Sequence, residues 1–328
     1  MAQKGDNKKL FGLRLVLMAT LVLTASGGTA RANQTEAALR RALAWQIALD
    51  RVGFSPGVID GRVGQKTQLA TREFQRVHGL AQTGELDKAT ADALKIDPDN
   101  AIARYTIQAS DFNEIGPAPT SWLAKSKLKF LGHPSLDVVL AEKFHCARHL
   151  LTTLNPGVNI NQLKAGSRIV VPAVTDYVDG VSAKRVEVNL SEKVIRVVDG
   201  RNRLVALFHC SVAADKAKMP AGQARVISAV PDPNYTFNPR MWPEVKENIP
   251  GPLNIPPGPR NPVGRFWIGL SKAGYGIHGT PNPELIGKTG SHGCFRLANW
   301  DAVRLGRMVS VGTEVRFVDH PNTELANR

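Results

Sequence analysis

Between residues 36 and 50 apolar side chains recur at Ala37, Leu39, Leu43, Ile47 and Ala48, near the 3.6-residue period of a helix with one apolar face. A glycine-dense stretch, 53–64, with Asp60-Gly61 as a turn signal, interrupts that pattern. Helical spacing resumes over 65–77 through Leu69, Ala70, Phe74 and Val77, and a turn at Gly84 leads to a short helix near 87–94. After a linker at Asp97-Pro98-Asp99-Asn100 come a short strand over 105–109, a helical stretch over 141–154 broken by Asn155-Pro156, and a closing strand over 169–172. From Lys184 the period changes to two, and 185–190, 194–198 and 204–212 read as a strand meander turning at Asp199-Gly200. Residues 231–262 are rich in proline and asparagine, too long and broken for a simple connection, and are expected to frame a substrate groove. Strands at 266–270 and 276–278, a helix at 299–308 and a last strand at 313–318 complete a multidomain α+β pattern.

Composition narrows the class. A chain of 328 residues with 43% hydrophobic and 21% charged side chains is folded and exceeds one ordinary domain. Lys4, Lys8, Lys9 and Arg14 precede an apolar run over 15–23, and small residues lead to Ala30-Arg31-Ala32. That order is a signal peptide's, with cleavage expected after Ala32. The run is shorter than the roughly 20 residues of a spanning helix, so no stable membrane insertion is expected after cleavage, and retention as an anchor is the weaker alternative. No cysteine follows the run and no Arg-Arg pair precedes it, which leaves the general secretory route and a periplasmic location. The formal charge of +14 stays basic once the leader is removed, suiting an anionic partner such as a carboxylate-bearing cell wall, or serving solubility alone. Export argues against nucleic acid as a partner. Three cysteines in an oxidising compartment leave at least one thiol unpaired.

The chemistry concentrates in Ile277-His278-Gly279-Thr280 and Ser291-His292-Gly293-Cys294-Phe295-Arg296. Thiolate is the nucleophilic form of cysteine, and an adjacent imidazole can take the thiol proton and return one to a leaving amine. Cys294 and His278 are the expected nucleophile and base. Gly293 lets the backbone approach a bound carbonyl, so amides at Gly293 and Cys294 are expected oxyanion donors. The Gly279 carbonyl is placed to orient the His278 ring, the task of a carboxylate in other triads. Tyr235 and Trp242 are expected in the groove. Cys146 and Cys210 read as small packing residues. His145, Cys146 and His149 share one short helix without a second cluster, so no metal is expected, and this chemistry requires no cofactor.

These motifs resemble those of the L,D-transpeptidases with a YkuD-type catalytic domain, and the likeness extends through Met219-Pro220-Ala221-Gly222, Pro257 to Pro262 and Gly264-Arg265-Phe266. One departure is Met219, where the family often has threonine. The resemblance implies a mostly-β, sandwich-like domain over 184–318 in which Cys294 is acylated, His278 is the base, the Gly279 carbonyl steadies it, His292 lines the pocket and Arg296 positions substrate or loop. Ser291 is either participant or brace. It also implies attack after the L-centre of diaminopimelate in a tetrapeptide stem, release of D-alanine and transfer to a second amine. Products are 3-3 cross-links or protein-wall links, with an outer-membrane lipoprotein as one acceptor. Residues 33–96 resemble a small helical peptidoglycan-binding domain through Gly53-Phe54, Ile59-Asp60-Gly61, Phe74-Gln75 and Thr83-Gly84. Residues 101–173 are similar to a lysin-motif module for glycan strands, through Tyr105, Asn155-Pro156, Leu163, Gly166 and Val171-Pro172, with an insertion over about 116–135. Residues 319–328 form a tail. Two alternatives stay open: a carboxypeptidase or amidase that hydrolyses the same acyl-enzyme, and a non-catalytic wall-binding scaffold.

Overall fold

A computed structural model describes residues 23–175 and 180–319. Residues 1–22 of the expected leader and 320–328 of the expected tail lie outside the described residues. The chain divides into two units, Met1–Leu39 and Arg40–Arg328, and the second holds everything from the buried part of the first helix onward. Among the described residues no helix is long and apolar enough to cross a membrane.

Three helices come first: α1 (Leu23–Arg51), α2 (Gln65–Val77) and α3 (Lys88–Leu94). The Asp87 carboxylate accepts the Thr90 N–H at 2.7 Å and so caps the start of α3. Amphipathic spacing implied one buried face on α1, yet every residue from 43 to 50 is buried. The reason is that α1 packs on two sides. The Trp45 indole donates to Thr71 on α2 at 2.9 Å, while Asp50 meets Arg304 of the C-terminal part through two bonds of 2.7 and 2.9 Å.

The middle part runs β1 (Ile102–Thr106), α4 (Ala109–Asn113), α5 (Trp122–Ser126), α6 (Leu136–Lys143), α7 (Arg148–Leu154) and β2 (Arg168–Pro172), with β1 and β2 antiparallel. Two expectations are corrected. The strand expected over 105–109 ends at Thr106, because the Asp111 carboxylate accepts the Gln108 N–H at 2.8 Å and starts a helix at Ala109. The single helix expected over 141–154 is two helices, broken where His145 adopts φ +50. There the His145 ring stacks on Trp300 and its Nδ1 lies 3.0 Å from Asp50 Oδ2.

The C-terminal part holds β3 (Ala183–Asn189), β4 (Val194–Asp199), β5 (Leu204–His209), β6 (Gly222–Pro231), β7 (Tyr235–Phe237), β8 (Leu253–Ile255), β9 (Phe266–Leu270), β10 (Gly276–Thr280), β11 (Phe295–Ala298), α8 (Asn299–Met308) and β12 (Glu314–Val318). Eight strands form one sheet in the order β11-β10-β9-β6-β12-β3-β4-β5, parallel at β10/β11 and β12/β3. The expected sandwich is instead this single sheet curled on itself. Just past β5, Ser211 exchanges backbone bonds of 2.9 and 3.1 Å with Arg296 of β11, so the two edges nearly meet. Irregular register in β3, β4 and β6 supplies the local coiling that brings them round. Inward side chains such as Val186, Val188, Ile195, Val197 and Phe208 share a core with Ala302, Leu305 and Met308 of α8.

A sheet with one wet face shows alternation, but Val194 through Val198 are all buried. The helical N-terminal part covers the outer face of β4 and β5, and Val194, Leu204 and Leu207 share a core with Trp45, Leu49, Phe54 and Phe74. Arg196, 1% exposed, points into that junction and bonds Glu73 at 2.5 and 3.1 Å. Burial alone would raise the Glu73 carboxyl, and the Arg196 guanidinium overrides it and holds the group below its ordinary value. Breaking a buried pair strands a charge at a cost of about 3–5 kcal/mol, whereas removing both partners is close to neutral. Arg196 also pairs with Glu192 at 2.7 Å and Glu73 with Arg76 at 2.7 Å, which softens both losses. Urea unfolding is expected to show a greater loss for Glu73→Leu than for Glu73→Leu with Arg196→Met, and equal losses would mean the charges are not coupled.

Candidate active site

The parallel pairing of β10 with β11 sets Ile277 opposite Phe295 and His278 opposite Arg296. Continuing that register one residue back places Cys294 beside Gly276. Side chains alternate along a strand, so Cys294 and Arg296 share a sheet face with Gly276 and His278. The nucleophile and base expected from sequence thus stand diagonally across two neighbouring strands.

His278 is buried, and its Nδ1 lies 2.7 Å from the Gly279 carbonyl oxygen. A carbonyl only accepts, so Nδ1 carries the proton and Nε2 presents a lone pair. The neighbour must be glycine, because a Cβ at Gly279 would collide with Asn299 Oδ1, which accepts the Arg265 N–H at 3.2 Å. Trp267, opposite His278 on β9, stacks on the imidazole with ring centroids 5.7 Å apart. The same indole lies over Gly276, where any side chain would strike it.

Cys294 donates its thiol to the Gly274 carbonyl at 3.7 Å. Burial pushes this thiol up from its ordinary value, against a backbone hydrogen bond from Gly276 and the positive charge of Arg296. Burial also lowers His278 to about 4, with the Gly279 bond opposing and the Arg296 charge adding to the fall. Burial thus works against charge on either member of the couple.

The remaining motif residues divide between scaffold and groove. The Ser291 hydroxyl donates to the Cys294 carbonyl at 2.5 Å and accepts the Gly293 N–H at 3.2 Å, so it braces the turn. That bond engages the Gly293 amide within the turn. Gly293 itself adopts φ +150, a backbone shape that side chains disfavour. Arg296 donates to the Gly290 carbonyl at 2.5 Å and ties the preceding loop to β11. His292 is exposed and meets the Trp242 ring edge-on at 4.5 Å. Tyr235, on β7, lies near enough to Cys294 to feel its charge; burial raises its hydroxyl first, and a bond with Trp242 opposes that. Ser291, Arg296 and Tyr235 thus lie around Cys294, His278 shares its sheet face, and Trp242 meets His292 beside it.

Sequence reading missed Trp267, Gly274 and Gly276. Their only signal was position: Gly276 stands two residues before His278 on the same strand face. Cys146 and Cys210 are free and buried, and burial pushes both thiols up to about 12. A cavity of about 210 Å³ lies between α8 and the middle part, lined by Glu142, His145, Arg265, Trp300 and Arg304 among others, and includes none of the motif residues.

A largely buried thiol and an imidazole held in one tautomer on the same sheet face are the parts that cysteine acyl-transfer chemistry uses. Residues 183–317 match the L,D-transpeptidase catalytic domain, and residues 43–94 match a domain described as "Putative peptidoglycan binding domain". The chain is 31% identical over 176 residues, 54% of its length and 89% of the other, to the "Putative L,D-transpeptidase YkuD" of Bacillus licheniformis. It is 30% identical over 168 residues, 51% of its length and 55% of the other, to the "Probable L,D-transpeptidase YbiS" of Escherichia coli K12. Among solved structures, an L,D-transpeptidase from Mycobacterium smegmatis aligns with TM-score 0.33 and 17% identity, over 46% of this chain and 63% of that one. The chain belongs to the L,D-transpeptidase family, whose members are cysteine-dependent transferases.

A thiol held above its ordinary 9.0 gains thiolate about tenfold per pH unit below its pKa. Alkylation of Cys294 by iodoacetamide, followed by peptide mass spectrometry, is therefore expected to climb steadily from about pH 6 to about pH 9. A rate plateau reaching below about pH 6 would instead reveal a thiolate-imidazolium pair.

Proposed function

We propose that the protein transfers the diaminopimelate acyl group of a peptidoglycan tetrapeptide stem to a second amine, with Cys294 as nucleophile and His278 as base. The observation that carries this reading is the β10/β11 register with the Gly279 carbonyl on Nδ1, which leaves Nε2 on the face it shares with the sulfur. During attack Nε2 takes the thiol proton as the S–C bond forms, so proton and nucleophile move together and no free thiolate accumulates. Collapse of the tetrahedral intermediate breaks the C–N bond, and imidazolium returns the proton to departing D-alanine. The acceptor amine then attacks the thioester, gives a proton to His278, and the thiol is re-formed. The amide of Cys294 is the proposed oxyanion donor, and Arg296 and Ser291 hold the loop that presents it.

Trp242, Tyr235 and His292 line the groove on this reading. The N-terminal helical part docks the enzyme on peptidoglycan. The pairing of β1 with β2 around four helices supports a lysin-motif-like role in gripping glycan for residues 101–173. Export to the periplasm, with cleavage after Ala32, belongs to the same proposal, as do 3-3 cross-links or links to an outer-membrane lipoprotein as products.

Residues 33–328 incubated with tetrapeptide muropeptides are expected to release D-alanine and yield cross-linked dimers by mass spectrometry. Cys294→Ala abolishes both, and His278→Ala lowers turnover by at least about a hundredfold. Tripeptides without dimers would replace transfer with hydrolysis. Sacculus binding with no chemical change would establish the scaffold instead.

A further inference from the structure

The insertion in the middle part reaches the active site. Its helix α5 is capped by Glu247 from the long loop between β7 and β8: the carboxylate accepts from Ser121 Oγ at 2.5 Å and from the N–H groups of Trp122 and Leu123 at 2.8 and 3.0 Å. Leu131 adds a second tie, donating to the Pro257 carbonyl at 2.8 Å and accepting from the Arg260 N–H at 3.1 Å. Between the two ties the Trp122 ring lies flat on Phe237, with centroids 3.8 Å apart and planes at 12°.

This contact matters because the roof of the groove has almost no core of its own. Strands β7 and β8 are three residues each, paired only to one another. A two-strand ribbon of that size is marginal in water unless something packs against it. Its buried cluster is Phe237 and Ile255 together with Leu131 of the insertion, with Trp122, Leu128, Tyr235 and Trp242 packed around them. An aromatic row therefore runs from Trp122 through Phe237 to Trp242, whose ring meets His292 two residues from the nucleophile.

We propose that Trp122, clamped by Glu247, is a positioning residue for the reaction: the middle module completes the roof of the active site and holds Trp242 where a stem peptide must lie beside His292. This rests on the acyl-transfer reading above. Removing the Trp122 ring takes the stack off Phe237, the ring against which Trp242 rests, so the roof loosens while the Cys294-His278 couple, held by β9, β10 and β11, stays intact. Binding of the peptide suffers more than intrinsic thiol reactivity.

The test compares wild type with Trp122→Ala, Trp122→Phe and Glu247→Ala, all in residues 33–328. For Trp122→Ala and Glu247→Ala the muropeptide KM is expected to rise at least about tenfold with a smaller change in kcat. Iodoacetamide alkylation of Cys294 stays within about twofold of wild type, and Trp122→Phe restores KM because a ring again stacks on Phe237. Hydrogen exchange supplies a readout independent of turnover: in Trp122→Ala amides of 235–255 exchange faster while those of β9–β11 do not change. An unchanged KM and unchanged exchange in 235–255 would overturn the proposal, as would equal loss in Trp122→Ala and Trp122→Phe. Absent muropeptide turnover in wild type, with the exchange pattern as expected, would sink the acyl-transfer reading and leave the roof assignment standing.

Discussion

The parallel pairing of two short strands, β10 and β11, is the constraint on which the chemistry of this protein depends. Parallel neighbours cannot be joined by a tight turn, so the chain must leave the sheet after Thr280 and return before Phe295. The return loop carries Ser291, His292, Gly293 and Cys294, and the register delivers the sulfur to the face where the imidazole stands. Closure of the sheet secures the arrangement from the other side, since Ser211 bonds Arg296 and Ala214 donates to the Ser291 carbonyl. Cys294, His278 and the Ser291 brace are all positioned by one hydrogen-bonded ladder.

Electrostatics follow from that burial. Low dielectric disfavours charge on either partner, and the nearby Arg296 guanidinium further discourages an imidazolium. Desolvation thus favours the proton on sulfur over a separated thiolate and imidazolium.

Much of this was legible in the residues. The 65–77 helix and the 266–270 strand have the bounds expected from periodicity, because their apolar spacing agrees with the faces they bury. The His-Gly-Thr and Ser-His-Gly-Cys segments marked the site because nucleophile, base and backbone glycines stand close along the chain. What was hidden depends on distant packing. Continuous burial of Val194 to Val198 reflects a covering domain more than 100 residues away in sequence, and His145 takes φ +50 where its ring meets Asp50 and Trp300. The strand β6 escaped notice because its residues alternate poorly, with exposed Ile227 and Val230 on its outer side. The effect of burial on the couple also escaped, since motif spacing carries no information about dielectric.

The shared core between the N-terminal helices and the outer face of β4 and β5 has a mechanical meaning. Two buried pairs, Arg196 with Glu73 and Arg304 with Asp50, seat the peptidoglycan-binding part against the catalytic part without a slack tether. The distance from anchoring surface to sulfur is then a constant of the molecule, like the gap of a caliper. For a peptidoglycan transpeptidase seated this way, the stems brought to the sulfur are those that lie at that reach from the bound wall.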